Sequence, residues 1–228
     1  MLKSPTMASK INIIIVDDQT LVRQGIVSMM EDHPRINVVH AASNGMEILQ
    51  WFKDNKCKIR VDVVLMDIQM PHMDGWEATE ILVRKYKKLK IIALSSYDNE
   101  AFIYRFIKNG GHGYLLKVQD IEEVEDAIEQ VMEMGYYFSD WAPMSKISSF
   151  INAQKVAPQF NTSELTPQEI KIVQLICQEK TSQEIGEELF LAKKTIESHR
   201  DRIMTKIKAR NMAGIVIYAL KHKLIDFV

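Results

Sequence analysis

The 228 residues carry 29 Lys and Arg against 30 Asp and Glu, a formal net charge of -1, and include two cysteines. That length allows one large or two ordinary domains, while Cys57 and Cys177 are too few for a disulfide framework and form no metal-ligand spacing. The longest apolar runs, such as 213–220, fall far short of the ~20 residues of a membrane helix, and residues 1–10 lack an apolar signal core, so a cytoplasmic protein with reduced thiols and no membrane partner is expected.

Residues 11–16 are a nearly unbroken β-branched run that ends in Asp17-Asp18, the pattern of a strand covered on both faces. Leu21, Ile26, Val27 and Met30 then follow helical spacing up to His33-Pro34. The alternation repeats, with strands at 36–41, 61–66, 90–94 and 113–116 and helices at 44–55, 74–86, 100–109 and 121–134. Ile48, Leu49 and Phe52 are the inward positions of the second helix. Five strands alternating with five helices predict an α/β doubly wound, five-stranded parallel sheet. Right-handed crossovers would bring the carboxyl ends of several strands to one edge, where ligands bind in such sheets.

Those strand ends carry Asp17, Asp18, Asp67, Ser95 and Lys117. Crowded carboxylates repel each other by roughly 4 kcal/mol per close pair at an effective dielectric near 20, and a divalent cation relieves the conflict. Hard oxygen ligands on a partly open site suit Mg²⁺, and an aspartate beside it can attack a phosphoryl group. Lys117 offers a positive charge for the transferred oxygens and Ser95 a short hydroxyl donor. Each residue also has a plainer use: Asp17 or Asp18 suits a helix N-cap, and one is expected to serve as that too. Lys117 also suits a solvated surface charge.

On these motifs, residues 11–134 resemble the receiver domain of two-component response regulators, which has a flavodoxin-like fold. The resemblance implies a phosphoacceptor at Asp67, within Asp-x-x-Met-Pro-x-x-Asp-Gly from Asp67 to Gly75, and metal binding by Asp17, Asp18 and Asp67. It also implies a switch hydroxyl at Ser95, a switch aromatic at Tyr114 and the family lysine at Lys117. Tyr114 would turn inward and Ser95 toward the phosphate on modification, although a strand aromatic also suits plain core. Gln69 and Tyr97 occupy the positions that tune dephosphorylation in the family, Gln69 orienting the attacking water and Tyr97 restricting it.

Charge divides the chain: residues 11–130 hold 14 basic and 19 acidic residues, whereas 161–228 hold 11 and 9. Residues 1–10 read as an N-terminal tail and 135–163 as a linker, with an aromatic exit segment at 135–139 and weak apolar spacing near 147–151. Thr166-Pro167-Gln168-Glu169 and Thr181-Ser182-Gln183-Glu184 each carry capping-box spacing. Ile170, Val173, Ile176 and Cys177 mark one inner helical face, Ile185 and Leu189 the next, and Ile196, Ile203 and Ile207 a third. Residues 213–220 supply a fourth helix. Two short helices followed by a longer one give helix-turn-helix spacing, so a small all-α domain over 164–228 is predicted.

This second part resembles the LuxR-type (NarL/FixJ-type) DNA-binding domain, from Leu165-Thr166-Pro167-Gln168-Glu169 through Ile185-Gly186, Lys194-Thr195-Ile196, His199 and Arg210-Asn211. Together the resemblances imply a phosphorylation-controlled transcriptional regulator whose partners are a sensor histidine kinase, double-stranded promoter DNA and a second copy of itself. It would catalyse only its own Mg²⁺-dependent phosphorylation and dephosphorylation. Lys194, Glu197, Ser198, Asp201 and Thr205 share the stripe opposite the isoleucines and should meet the major groove. Lys193, Lys194, Arg200, Arg202 and Lys206 are candidates for phosphate contact, and Thr195 and His199 complete the DNA-binding set. Two departures from the family stand out, Ala192 where Ser is common and Glu197 where Lys is common. Glu197 suits either a cytosine N4 contact or a surface pair with Lys193.

Two other function classes compete. A phosphatase of the haloacid-dehalogenase type also uses an aspartyl nucleophile, but it wants Asp-x-Asp after its first strand, which Asp17-Asp18 does not supply. A phosphorylation-independent interaction protein would have no need of the full acidic set with Ser95 and Lys117.

Overall fold

A computed structural model describes residues 10–55, 58–117, 120–139 and 165–225. The tail before Lys10, most of the expected linker and its weak apolar stretch lie outside these residues. The chain forms two compact units, 1–91 and 92–228, the division falling inside a strand.

In the first unit β1 (Ile11–Val16) pairs in parallel with β2 (Ile36–Ala42) on one side and with β3 (Val63–Asp67) on the other. Every residue of β3 is buried, as its continuous apolar run requires, whereas β2 is half-exposed along its middle. β3 starts two residues later than expected because Asp62 takes the Asn12 N–H on its carboxylate and pairs with Arg60 at 2.7 Å. The helices are α1 (Thr20–Met30), α2 (Gly45–Asn55) and α3 (Gly75–Lys85). Of the helically spaced residues, Leu21 is 86% exposed and Met30 is the buried residue of α1.

Strand β4 (Lys90–Ser95) pairs in parallel with β5 (Gly113–Leu116); α4 (Glu100–Lys108) lies between them in the chain and α5 (Ile121–Met134) follows β5. A sixth strand, β6 (Tyr137–Phe138), pairs in parallel with β5, so the sheet has the order β2-β1-β3-β4-β5-β6 rather than five strands. Two residues are too few to show periodicity. They reach the sheet because Gly135 ends α5 in the left-handed conformation (φ 88°) and Tyr137 N–H donates to the His112 carbonyl at 2.9 Å. The order reverses between β1 and β3, where a doubly wound sheet opens its ligand crevice.

The C-terminal helices are α6 (Pro167–Cys177), α7 (Ser182–Leu189), α8 (Lys193–Ile207) and α9 (Met212–Lys221). Both expected capping boxes are formed, at Thr166/Glu169 and Thr181/Glu184. Val173, Ile176, Cys177, Ile185, Ile196, Ile203 and Ile207 are buried as expected, while Ile170 is only half-buried and Ile172 takes its place in the core. Burial pushes the Cys177 thiol up to about 12, consistent with an inert core thiol.

Candidate functional site

Because Val16 and Met66 are register partners on neighbouring parallel strands, the residues that follow them, Asp17 and Asp67, leave the sheet side by side. Asp17 (0% exposed) and Asp67 (3%) are buried and Asp18 is exposed, and one carboxylate oxygen from each lies within 4.8 Å of the others. Asp17 Oδ1 accepts the Gln19 N–H at 2.8 Å, the Arg23 guanidinium donates to the Asp17 carbonyl, and Asp67 Oδ1 accepts the Gln69 N–H at 3.2 Å. The N-cap of α1 is Gln19, without a side-chain bond, so neither aspartate serves as the expected cap. Three hard oxygen donors with one open flank are the donor set of a divalent cation that keeps water ligands.

The loop after Asp67 is shaped by two local rules. Asp74 caps α3, its Oδ1 accepting the Glu77 N–H at 2.9 Å. Gly75 lies so close to the strand end that a Cβ there would stand 2.1 Å from the Asp67 carbonyl oxygen. Met70-Pro71 and His72, at φ 68°, complete the turn between them.

In the second unit Ser95 ends β4, 1% exposed, its Oγ accepting the Tyr97 N–H at 3.2 Å. Lys117, half-buried, follows β5 and its N–H donates to the Ser95 carbonyl at 2.8 Å, which fixes the two strand ends together. Tyr114 is already turned in: it is 2% exposed, its hydroxyl donates to the Tyr97 carbonyl at 3.0 Å and its ring stands edge-on to Phe106. Tyr97 is 43% exposed, its ring edge-on to Phe102.

Helix α8 presents Lys193, Lys194, Thr195, Ser198, Asp201 and Arg202 to solvent, with Glu197 and His199 half-buried. Ala192 gives its N-terminus no side-chain cap, as its residue type dictates. Of the two readings open for Glu197, the structure holds a surface pair, with Lys194 rather than Lys193, at 3.6 Å one turn away. Two of the phosphate-contact candidates are engaged inside the protein. Lys206 Nζ donates to buried Glu169 Oε2 at 2.7 Å. Arg200 donates to Ser182 Oγ and, at 3.2 Å, to the Met134 carbonyl at the end of α5, and its burial lowers its pKa.

Sequence reasoning missed the other polar contacts of this kind. Asn211 Oδ1 caps α9 by accepting the Gly214 N–H at 2.9 Å, while its Nδ2 donates to the Gly110 and Gly111 carbonyls at 2.8 and 2.6 Å. Tyr136, 1% exposed, donates to the Ile176 carbonyl at 2.6 Å. In the sequence Asn211 stands out only as part of the Arg210-Asn211 resemblance, and nothing there marks a carbonyl partner some hundred residues away.

Comparison with known proteins gives two family matches: the response regulator receiver domain over residues 13–129 and the luxR family of bacterial regulatory proteins over 163–219. The chain is 32% identical over 221 residues to the oxygen regulatory protein NreC of Staphylococcus carnosus, covering 94% of this chain and 99% of that one. It is 32% identical over 218 residues to the transcriptional regulatory protein LiaR of Bacillus subtilis, covering 95% and 100%. Among solved structures, a LuxR-family two-component response regulator from Aurantimonas sp. SI85-9A1 superposes with a TM-score of 0.54 at 27% identity, covering 65% of this chain and all of that one. The RcsB response regulator of Salmonella typhimurium shares the fold at a TM-score of 0.52 and 24% identity, covering 92% and 98%.

Proposed function

The chain belongs to the response regulators that join a receiver domain to a LuxR-type DNA-binding domain, and from that premise we propose that Asp67 accepts a phosphoryl group from a sensor histidine kinase and so governs promoter binding. The observation that carries this reading is the meeting of Asp17, Asp18 and Asp67 within 4.8 Å at the switch point of the sheet. In the transfer, an Asp67 carboxylate oxygen attacks phosphorus, the phosphorus–nitrogen bond of the kinase phosphohistidine breaks, and its electron pair returns to the imidazole. Asp17, Asp18 and Asp67 would hold Mg²⁺, which when bound neutralises charge on the phosphoryl oxygens. Arg23 and the Gln19 N–H hold Asp17 in place, and the Gln69 N–H orients Asp67.

Ser95 and Lys117 act on the transferred oxygens, the hydroxyl by donating a hydrogen bond and the amine by its charge. Tyr114, buried against Phe106, is the aromatic that the modified state retains inward. On the DNA side the exposed Lys193, Lys194 and Arg202 meet phosphates, and Thr195, Ser198 and Asp201 with Glu197 face the groove. Arg200 and Lys206 join them only if their present contacts are released, and His199 only if its half-buried ring is uncovered. The protein acts in the cytoplasm as a dimer when phosphorylated and turns over no other substrate.

Incubation with Mg²⁺ and acetyl phosphate should give one phosphoryl mass gain that Asp67→Asn abolishes. A gain that survives that substitution places the modification elsewhere. Tyr97 is half-open beside the β4 end and is expected to screen the acyl phosphate from water. Tyr97→Ala should shorten the phosphoryl half-life severalfold, read by loss of labelled phosphate; an unchanged half-life removes the shielding role.

A further inference from the structure

The turn between α7 and α8 holds a residue that folding alone does not favour. Phe190 ends α7 in the left-handed conformation, φ 55° and ψ 41°, and its side chain is 94% exposed. In that conformation a Cβ crowds the neighbouring carbonyl, so glycine or asparagine suits it, and a bulky apolar residue there marks a local conflict of the kind found at functional positions. The backbone leaves little latitude. Phe190 N–H donates to carbonyls of the preceding turn, Leu191 N–H donates to the Gly186 carbonyl at 2.8 Å, and a Cβ on Gly186 would stand 2.6 Å from the Leu191 carbonyl oxygen. The turn is therefore packed tightly, with Phe190 at its outer corner.

Two features name the class of partner. Within the described residues 165–225 Phe190 is the one large apolar side chain that is exposed, with its neighbours Leu189 and Leu191 half-buried, so the apolar surface at this corner centres on a single ring rather than on the broad patch of a protein-docking surface. Instead it stands three and four residues before Lys193 and Lys194, both exposed, at the uncapped start of α8. A single ring beside two cations suits a polyanion that also offers apolar faces. Duplex DNA is that ligand, through its deoxyribose rings and thymine methyl groups.

We infer that Phe190 is a DNA contact, packing its ring on an apolar face of the duplex while Lys193 and Lys194 neutralise adjacent phosphates. This rests on the proposed DNA-binding role of α8. The ring adds affinity without charge, so its contribution does not depend on salt as those of the lysines do.

The test uses the full chain, phosphorylated with acetyl phosphate and Mg²⁺, and a duplex that the wild-type chain recovers from a random-sequence pool. Phe190→Gly should raise the melting temperature, because glycine relieves the left-handed strain, and yet weaken binding about tenfold with an unchanged salt slope. Phe190→Ala should weaken binding equally without that gain in melting temperature, and Phe190→Tyr should bind like wild type. Lys194→Ala, by contrast, should flatten the salt dependence by about one phosphate. Replacing thymine by deoxyuridine in the duplex distinguishes the two apolar sources. A loss seen with wild type and absent in Phe190→Gly assigns the ring to a methyl group, and no loss in either assigns it to a sugar. Binding by Phe190→Gly equal to wild type overturns the proposal, including when transcription activation alone falls, which would give the ring to a protein partner. Failure of the wild-type chain to recover any duplex overturns the DNA-binding reading beneath it.

Discussion

Replacing Gly75 by Ala should destabilise the first compact unit by about 3 kcal/mol and slow phosphoryl acceptance at Asp67 at least tenfold, an overpacking cost at the upper end of its usual range. The new methyl would stand 2.1 Å from the Asp67 carbonyl oxygen, 3.0 Å from the Asp67 carbonyl carbon and 3.0 Å from Ile68 Cα. All three are backbone atoms, which cannot swing aside as a flexible side chain does. Gly75 N–H also donates to the Ile68 carbonyl at 3.0 Å, so the start of α3 and the end of β3 are tied at the point of collision. Relief requires one of them to move, and either movement shifts the Asp67 carboxylate relative to Asp17 and Asp18. Gly25→Ala is the control. Nothing lies within 4 Å of a Cβ there, and alanine in the middle of α1 should stabilise by about 0.5–1 kcal/mol. Urea unfolding and the rate of labelling by acetyl phosphate read both variants. A Gly75→Ala chain with the wild-type midpoint and labelling rate would show that the strand end yields freely.

Much of this loop was readable in advance because its determinants are local. The apolar run before Asp67 is a buried strand by its composition, the helical pattern opens at Asp74, which the structure makes its N-cap, and the two share a few residues of chain. The same holds for the boxes at Thr166 and Thr181, where donor and acceptor are three residues apart. Strand β6 escaped because two residues carry no period, and its pairing depends on a glycine turn rather than on its own pattern. Leu21 escaped for a related reason. Helical spacing says which residues share a face but not which of two adjacent apolar stripes the sheet will cover, and α1 buries Met30 while leaving Leu21 and Met29 outside.

Polar long-range partners are the least legible class. Lys206 and Arg200 look like free cations on a basic helix, and each has a partner that no spacing rule connects to it, Glu169 on α6 and the Met134 carbonyl on α5. The burial of Glu169 is what the sequence hides. The spacing marks it only as N3 of a capping box, yet it is 4% exposed, which makes a charged partner obligatory and draws in Lys206.

Glu169 therefore sets the second large effect. Its Oε2 accepts from Lys206 Nζ at 2.7 Å and from the Thr166 N–H at 2.7 Å. Burial by itself would push this carboxyl up, but the hydrogen bonds from Lys206 and Thr166 outweigh it and leave the group below its ordinary value of 4.5. A carboxylate depressed on folding contributes stability above its unfolded pKa, and that contribution fades as the pH falls through the folded value. Glu169→Ala should cost the chain about 2–3 kcal/mol at neutral pH, from the lost charge-assisted bonds and the broken cap. The Lys206 side chain is 37% exposed and can return to water, which holds the loss below the roughly 3–5 kcal/mol of a fully buried pair. Glu169→Gln retains the shape and removes the charge, so its deficit should be largest near neutral pH and shrink below about pH 4.5 as the wild-type carboxyl takes up its proton. Thermal unfolding of the full chain from neutral to acid pH measures the gap directly, and a gap of constant size across that range would show that the charge on Glu169 contributes nothing.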